Sequence, residues 1–573
     1  MSFDLIVRGG TIIDGAGLPG FTADVGIVDG RIAAIGNLAS ESAGRVLDAE
    51  GHVVAPGFID AHTHMDAQIF WDPLGTCSCW HGVTSVVMGN CGFTLAPCAE
   101  ADKDLVIRNL QRAEDISPEA MDAGIRWSWE TFRQYLDAID RLPKGINYAA
   151  YIGHSALRTY AMGERAFSEQ ATADDLVKMR RELRDAVQAG AVGLSTSRSR
   201  VHETTDGRPV ASRIANWDEV RALVGEMGDL GAGTFELTQE NESRAPERIA
   251  DFSRRLKALA LETRVPATLG VTFSQRGQAD SWRPIYELAD EVNAAGGSMR
   301  LQCTSRWGSL LRSFRTEMPF GLDDAPVWRE VRRLPVAEQE AALRDPVMRS
   351  KLIEAAKAFP GAIRNGRLRP VEFDWLFVLD KPLPPYRSLA EIAREKDCHP
   401  AEVLIELALA SNMKQFFIEP NFNENEKTLL SMMRHPSSVV TFSDSGAHVT
   451  YIMDSSTQTH MLSYWVREKQ AFTLEAAVRK LTFEIASFWR LQDRGLVRKG
   501  YIADLVIFDP ARIGPQMPEL VHDLPTGAPR LKQKADGIRA TVVAGQVVML
   551  ENEHTGALPG RLLRTDVASG VLR

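Results

Sequence analysis

The chain has 573 residues, 44% hydrophobic and 25% charged, with a formal net charge of −9. That length exceeds one simple core and points to a large domain with a smaller companion, and the acidic balance without a long basic block argues against a nucleic-acid binder. Six cysteines (77, 79, 91, 98, 303 and 398) are too sparse for a disulfide framework; no apolar run approaches the ~18 residues of a membrane span, and MSFDLIVRGG lacks the pattern of a signal peptide, so a cytoplasmic location is expected.

The first fifty residues read as short strands, FDLIVRGGTIIDG, ADVGIVDGRIAAIG and RVLDAEGHVVAPG, with Gly-rich and Asp-Gly turns between alternating apolar residues. GYIADLVIFDP and GIRATVVAGQVVM repeat that style near the far end. Neither piece suffices alone, so residues 1–54 and 491–573 are expected to build one small β-sandwich together. Between them run eight candidate strands: VVAPGFIDAH, TSVVMGNC, NYAAYIGH, AVGLSTS, GTFELT, PATLGVTF, SMRLQCT and VVTFSDS. Amphipathic helical stretches separate them, the clearest running from Thr172, a plausible cap, to Gly190. This alternation predicts an α/β fold, a (β/α)8 TIM-like barrel over 55–490, with an open doubly wound sheet as the alternative. Long connections at about 93–145 and 305–437 read as insertions, which on an active-site face form lids or substrate walls.

In such barrels the C-terminal ends of the strands face the active site. Here those ends carry His62 and His64, Cys91, His154, Ser195, Glu236 with Gln239, Thr272, Gln302 and Asp444. His62 and His64 share one side of an extended chain, so both imidazoles reach one cation, and Zn²⁺ takes imidazole nitrogen at about 2.0–2.1 Å. A bare His-x-His pair is weak, but PGFIDAHTH closing a strand strengthens it. Arg198, Arg200 and His202 follow the fourth run, and Arg306 follows the seventh. Arginine pairs bidentately with carboxylates, so the loop after the fourth run is the preferred site for a substrate carboxylate, with Arg306 as competitor. His154 in YIGHSALR either donates to a developing oxyanion or is a hydrogen-bonded structural residue. Cys77, Cys79 and Asp504 read as structural.

Taken with GNCGF, GHSALR, AGAVGLSTSRS, SDSGAHV and GYIADLVIFDP, the segment PGFIDAHTHMD resembles the amidohydrolase superfamily, and within it the N-acyl-D-amino-acid deacylase (D-aminoacylase) branch. WSWETFRQYLDAI and TGALPGRLLR extend the likeness over nearly the whole chain. The resemblance implies a metal-bearing barrel beside a composite β-sandwich, and amide hydrolysis by metal-activated water. It implies Cys91 as a thiolate ligand, a role a metal supports by deprotonating the thiol. It also implies Asp444 as the carboxylate that takes a proton from water and passes it to the leaving nitrogen. Many relatives bridge two metals with a carboxylated lysine on strand four. Between Lys144 and Lys351 only Lys178 and Lys257 occur, both in amphipathic helical stretches, which leaves Cys91 the better bridge. Relatives also place histidine ligands at the ends of strands five and six, whereas this chain has none between His202 and His399. Three outcomes stay open: a single metal on His62, His64 and Cys91 with Asp444 nearby; substitution by Glu236 or Gln239, since carboxylates also ligate Zn²⁺; or a metal weakly held or absent.

The expected function is metal-dependent hydrolysis of a non-peptide C–N bond, deacylating an N-acyl (D-)amino acid or related amide with one or two Zn²⁺ ions or another divalent metal. The alternatives are a hydrolase of a cyclic amide, carbamate or ester, and a catalytically silent ligand-binding relative. The expected partner is the small-molecule amide itself, with no nucleic acid and no membrane, and the insertions are compatible with a homo-oligomer.

Overall fold

The computed structural model describes residues 2–240, 245–273, 280–318, 325–358, 372–452 and 454–573, without the side chains of 112–114. Its centre is a parallel barrel. Strand one (Phe58–Asp60), strand two (Val83–Met88) and strand three (Asn147–Ala150, continued by Ile152–Gly153) lie side by side, with Ser85 opposite Asn147. Strand four (Gly193–Ser197), strand five (Thr234–Thr238), strand six (Ala267–Gly270), strand seven (Met299–Cys303) and strand eight (Ser438–Val440) follow in order. The seam closes where Thr63 bridges Ser445 in parallel and the His64 N–H donates to the Ser445 carbonyl at 2.7 Å. All eight runs read from the sequence therefore stand in one closed wall. Helices cover the outside of this wall, and strand two shows the result by being buried at every residue.

The helix Ala173–Ala189 shows how the connecting layer is set. Thr172 Oγ1 accepts the Asp175 N–H while Asp175 accepts the Thr172 N–H, a reciprocal cap. Gly190 ends the helix at φ +111°, and a Cβ there would sit 2.4 Å from the Cβ of Arg564. That contact comes from the C-terminal tail, which packs on the barrel: the Tyr148 N–H of strand three donates to the Arg561 carbonyl at 2.9 Å.

The two chain ends join in a nine-stranded sheet beside the barrel, Leu505–Phe508 lying antiparallel to Val53–Pro56. Val7, Val25, Ile27 and Val54 from one end share a core with Leu505, Ile507 and Val542 from the other. Asp504 serves that junction: its carboxylate accepts from Arg494 (3.0 Å), Asn147 (3.0 Å) and the Ala544 N–H (2.7 Å). The connection after strand seven forms a lobe with a three-stranded antiparallel sheet, Gly308–Arg312, Phe416–Phe422 and Phe377–Leu379. Phe314, Trp328, Leu343, Leu352 and Phe417 give it its own core. Among the described residues no helix is long and apolar enough to cross a membrane.

Candidate metal centre

Strand one delivers His62 and His64 into the barrel mouth, with Thr63 turned away so that its hydroxyl donates to the Val87 carbonyl (2.9 Å). Cys91 follows strand two in a turn where its backbone is left-handed, φ +57° and ψ 17°. The result is a buried tripod: ligand atoms of His62, His64 and Cys91 all lie within 4.8 Å of one another. Cys91 Sγ is 3.5 Å from His62 Nε2. Across the seam, Asp444 Oδ1 stands 3.2 Å from His62 Nε2 and 3.4 Å from His64 Nε2. Its side chain is 15% exposed, against 1% for His62, so the carboxylate looks toward the mouth. The turn that carries it needs Gly446, at φ +98°, because a Cβ there would lie 2.4 Å from the His64 carbonyl oxygen.

Gln302 at the end of strand seven orients His62. The His62 Nδ1–H donates to Gln302 Oε1, while the Gln302 amide donates to Thr268 Oγ1 at 3.1 Å. With Nδ1 so engaged, Nε2 faces Cys91 and Asp444, the arrangement of a metal-ligating histidine and its supporting residue. Phe442 packs on the same ring at 4.3 Å between centroids. Burial alone raises the Cys91 thiol, but the imidazoles of His62 and His64 outweigh it and bring the thiol down to about 6. Burial likewise opposes the charge on Asp444, and hydrogen bonds from His62 and His64 carry it far below the ordinary carboxylate range. Burial works against a charged His62, yet the neighbouring thiolate and Asp444 hold its proton well above the usual imidazole value. The cluster therefore carries anionic donors and a proton that a cation displaces.

The amidohydrolase family model (Amidohydro_3) matches residues 45–292 and 386–549. The chain belongs to the amidohydrolase family. It is 28% identical to the D-aminoacylase of Alcaligenes xylosoxydans xylosoxydans over 571 residues, covering 99% of this chain and 98% of that protein. It is 30% identical to the N-acyl-D-glutamate deacylase of the same organism, covering 99% and 97%. A solved D-aminoacylase structure, described as having a binuclear metal centre with one-metal activation and second-metal attenuation, superposes with a TM-score of 0.65 at 26% identity, over 98% of this chain and 100% of that one. An L-hydantoinase at 14% identity and a TM-score of 0.52 shares the fold.

This amidohydrolase departs from its family's ligand pattern where the sequence does. Strand five ends at Thr238, followed by half-buried Gln239, and strand six runs out through Val271 and Thr272, with no imidazole at either end. Lys178 and Lys257 lie on outer helices, Lys257 paired with Glu291, so no lysine stands on strand four.

Other expected site residues are committed elsewhere. His154 begins a helix rather than lining the mouth, and both ring nitrogens are engaged, with Thr196 Oγ1 and Glu219 Oε1, each at 2.8 Å. With both ring nitrogens engaged, the hydrogen-bonded structural reading of His154 is favoured over the oxyanion one. Glu219 also pairs with the fully buried Arg158. Replacing Glu219 by alanine is expected to cost about 3–5 kcal/mol in denaturant unfolding, because Arg158 loses its buried counter-charge; a loss under about 1 kcal/mol refutes that assignment. Arg198 bonds to the Ala215 carbonyl (2.6 Å) and Glu240 (3.4 Å), and Arg306 to Ser456 (2.6 Å) with Asp454 at 3.5 Å. Both guanidiniums thus hold loops together instead of standing ready for a substrate carboxylate. Arg200 is exposed on the loop after strand four, and half-buried His202 bonds to Ser197 (2.7 Å) and packs on Phe93, which also contacts His64. Burial, with His448 and His64 nearby, pulls His202 down to about 3, so it is neutral.

The structure adds residues that the strand-end reading did not assign. Gln302 was visible as a polar strand end but not as the partner of His62. Buried Asp454, pushed up to about 7 by burial against the opposing pull of Arg306, lies on the loop after strand eight. Its sequence context, MDSSTQTH, offers no signal of its own.

Proposed function

We propose that this amidohydrolase removes the acyl group from an N-acylated amino acid with a divalent metal, zinc by the chemistry of its donors, held by His62, His64 and Cys91. The carrying observation is the buried tripod with Asp444 beside it on the solvent side. Two imidazoles and a thiolate suit zinc, and three protein ligands with an open position are the pattern of catalytic rather than structural sites. The fit is supported by Gln302, which presents His62 Nε2 to the site, and by the depressed thiol of Cys91.

When bound, the metal supplies a Lewis acid that polarises the amide carbonyl and acidifies the attacking water. Asp444 supplies the proton transfers. Its carboxylate, held ionised, accepts the proton of the attacking water and returns it to the amide nitrogen as the C–N bond breaks, yielding a carboxylic acid and a free amino acid. Buried Phe93 and half-buried Phe442 pack beside the imidazoles and give that wall an apolar face. On the loop after strand four, exposed Arg200 supplies a charge, and neutral His202 a hydrogen-bonding group, for the substrate's α-carboxylate.

N-acyl-D-amino acids, their L-enantiomers, lactams and simple esters assayed side by side on zinc-loaded protein test this reading. The expected result is turnover of the D-series at a kcat/KM at least about 10²-fold above the rest. A preference for lactams or esters would favour the cyclic-amide or ester reading, which the missing strand-five and strand-six histidines motivate. No turnover of any substrate with any divalent metal would favour a silent ligand-binding relative.

A further inference from the structure

The carboxylate of Glu236 is a feature of the mouth that the proposed chemistry leaves unexplained. It sits on strand five, in register with Ser195 on strand four and Thr268 on strand six, and is 0% exposed. Its Oε2 accepts the N–H of Cys91 at 2.8 Å, tying it to the residue that carries the thiolate. Its Oε1 is buried with no hydrogen-bond partner among the described residues. The ionisable groups around it are Cys91, His62 and His64, the members of the tripod. A buried carboxyl oxygen left without a partner is unfavourable unless a donor or a cation satisfies it. Arg198 and Arg306 do not supply that cation, being bonded to the Ala215 carbonyl and to Ser456, and the imidazoles that do act on Glu236, His62 and His64, are the ones a metal would occupy.

We propose that Glu236 is a further ligand of the metal held by His62, His64 and Cys91, binding through Oε1 while Oε2 keeps the Cys91 N–H. The inference rests on the metal-dependent reading above and deepens it. Glu236 replaces, from within strand five, the imidazoles absent from the ends of strands five and six. Glu236 would make four protein ligands, and the attacking water would then take a fifth position, an expansion that zinc accepts. Asp444, on the exposed side, is left free to carry protons.

The test compares wild type with Glu236→Gln, whose amide oxygen still accepts the Cys91 N–H but whose charge is gone. Zinc affinity is read by competition with a chromogenic chelator, and coordination by the visible spectrum of the cobalt-substituted protein. The expected result is an affinity loss above about 100-fold, exceeding the 10–100-fold typical of residues that only support a ligand, together with altered cobalt bands. Wild-type affinity and an unchanged cobalt spectrum in E236Q would overturn the proposal and leave Glu236 as a tether for Cys91. If the variant does not fold, a crystal structure of zinc-loaded wild type decides. Glu236 Oε1 at about 2.0–2.2 Å from zinc supports the proposal, and an oxygen outside bonding distance overturns it. Wild type that binds no zinc overturns the metal-dependent reading itself, a failure visible before any variant is made.

Discussion

Asp444→Asn is expected to lower kcat by about 10²–10⁴-fold while leaving metal content near the wild-type level. Asparagine keeps the shape of the side chain but has no basic oxygen to take a proton from water at neutral pH. The geometry makes this a specific claim: Asp444 Oδ1 lies 3.2 and 3.4 Å from the two imidazole nitrogens, yet the side chain faces the open side of the mouth. Turnover and metal content must be measured on the same preparation. Full activity would remove Asp444 from proton transfer and turn attention to Asp454, a buried carboxyl close enough to feel the charge of Asp444. Loss of metal along with activity would make Asp444 a ligand first and a base second.

The double variant His62→Ala, His64→Ala is expected to lose both metal and activity, with zinc at background by plasma mass spectrometry. Two of the three tripod ligands are then gone, and Cys91, even with Glu236, is too few donors to hold a divalent ion tightly in this pocket. The fold should survive, because the barrel wall below the mouth is closed by backbone hydrogen bonds that the imidazoles do not make. Chelation gives an independent reading. A ligand present at about 1,000 times its Kd stabilises the native state by about 4.1 kcal/mol, so a chelator should lower the melting temperature of wild type and leave that of the double variant unchanged. Zinc retained at wild-type stoichiometry in the variant would place the metal elsewhere in the chain.

Local periodicity and spacing were enough for part of this molecule. The two-residue period of a strand puts His62 and His64 on one side wherever the strand lies. A helix opening on Thr172 and closing on Gly190 is specified by its own caps. Eight apolar runs separated by amphipathic helices have few closed packings open to them, and the hairpins at the two ends are too few to form separate sheets. What the sequence could not decide was which polar strand ends meet one another. Gln302 reaches His62 across 240 positions of chain, and Glu236 reaches the Cys91 amide across 145. His154 is engaged by Glu219 and Thr196, while Arg198 is bonded to the Ala215 carbonyl and Arg306 to Ser456. A polar residue at a strand end announces only that it has been placed where chemistry occurs. Whether its hydrogen-bonding capacity remains available there depends on neighbours supplied by other strands, and barrel closure alone sets those.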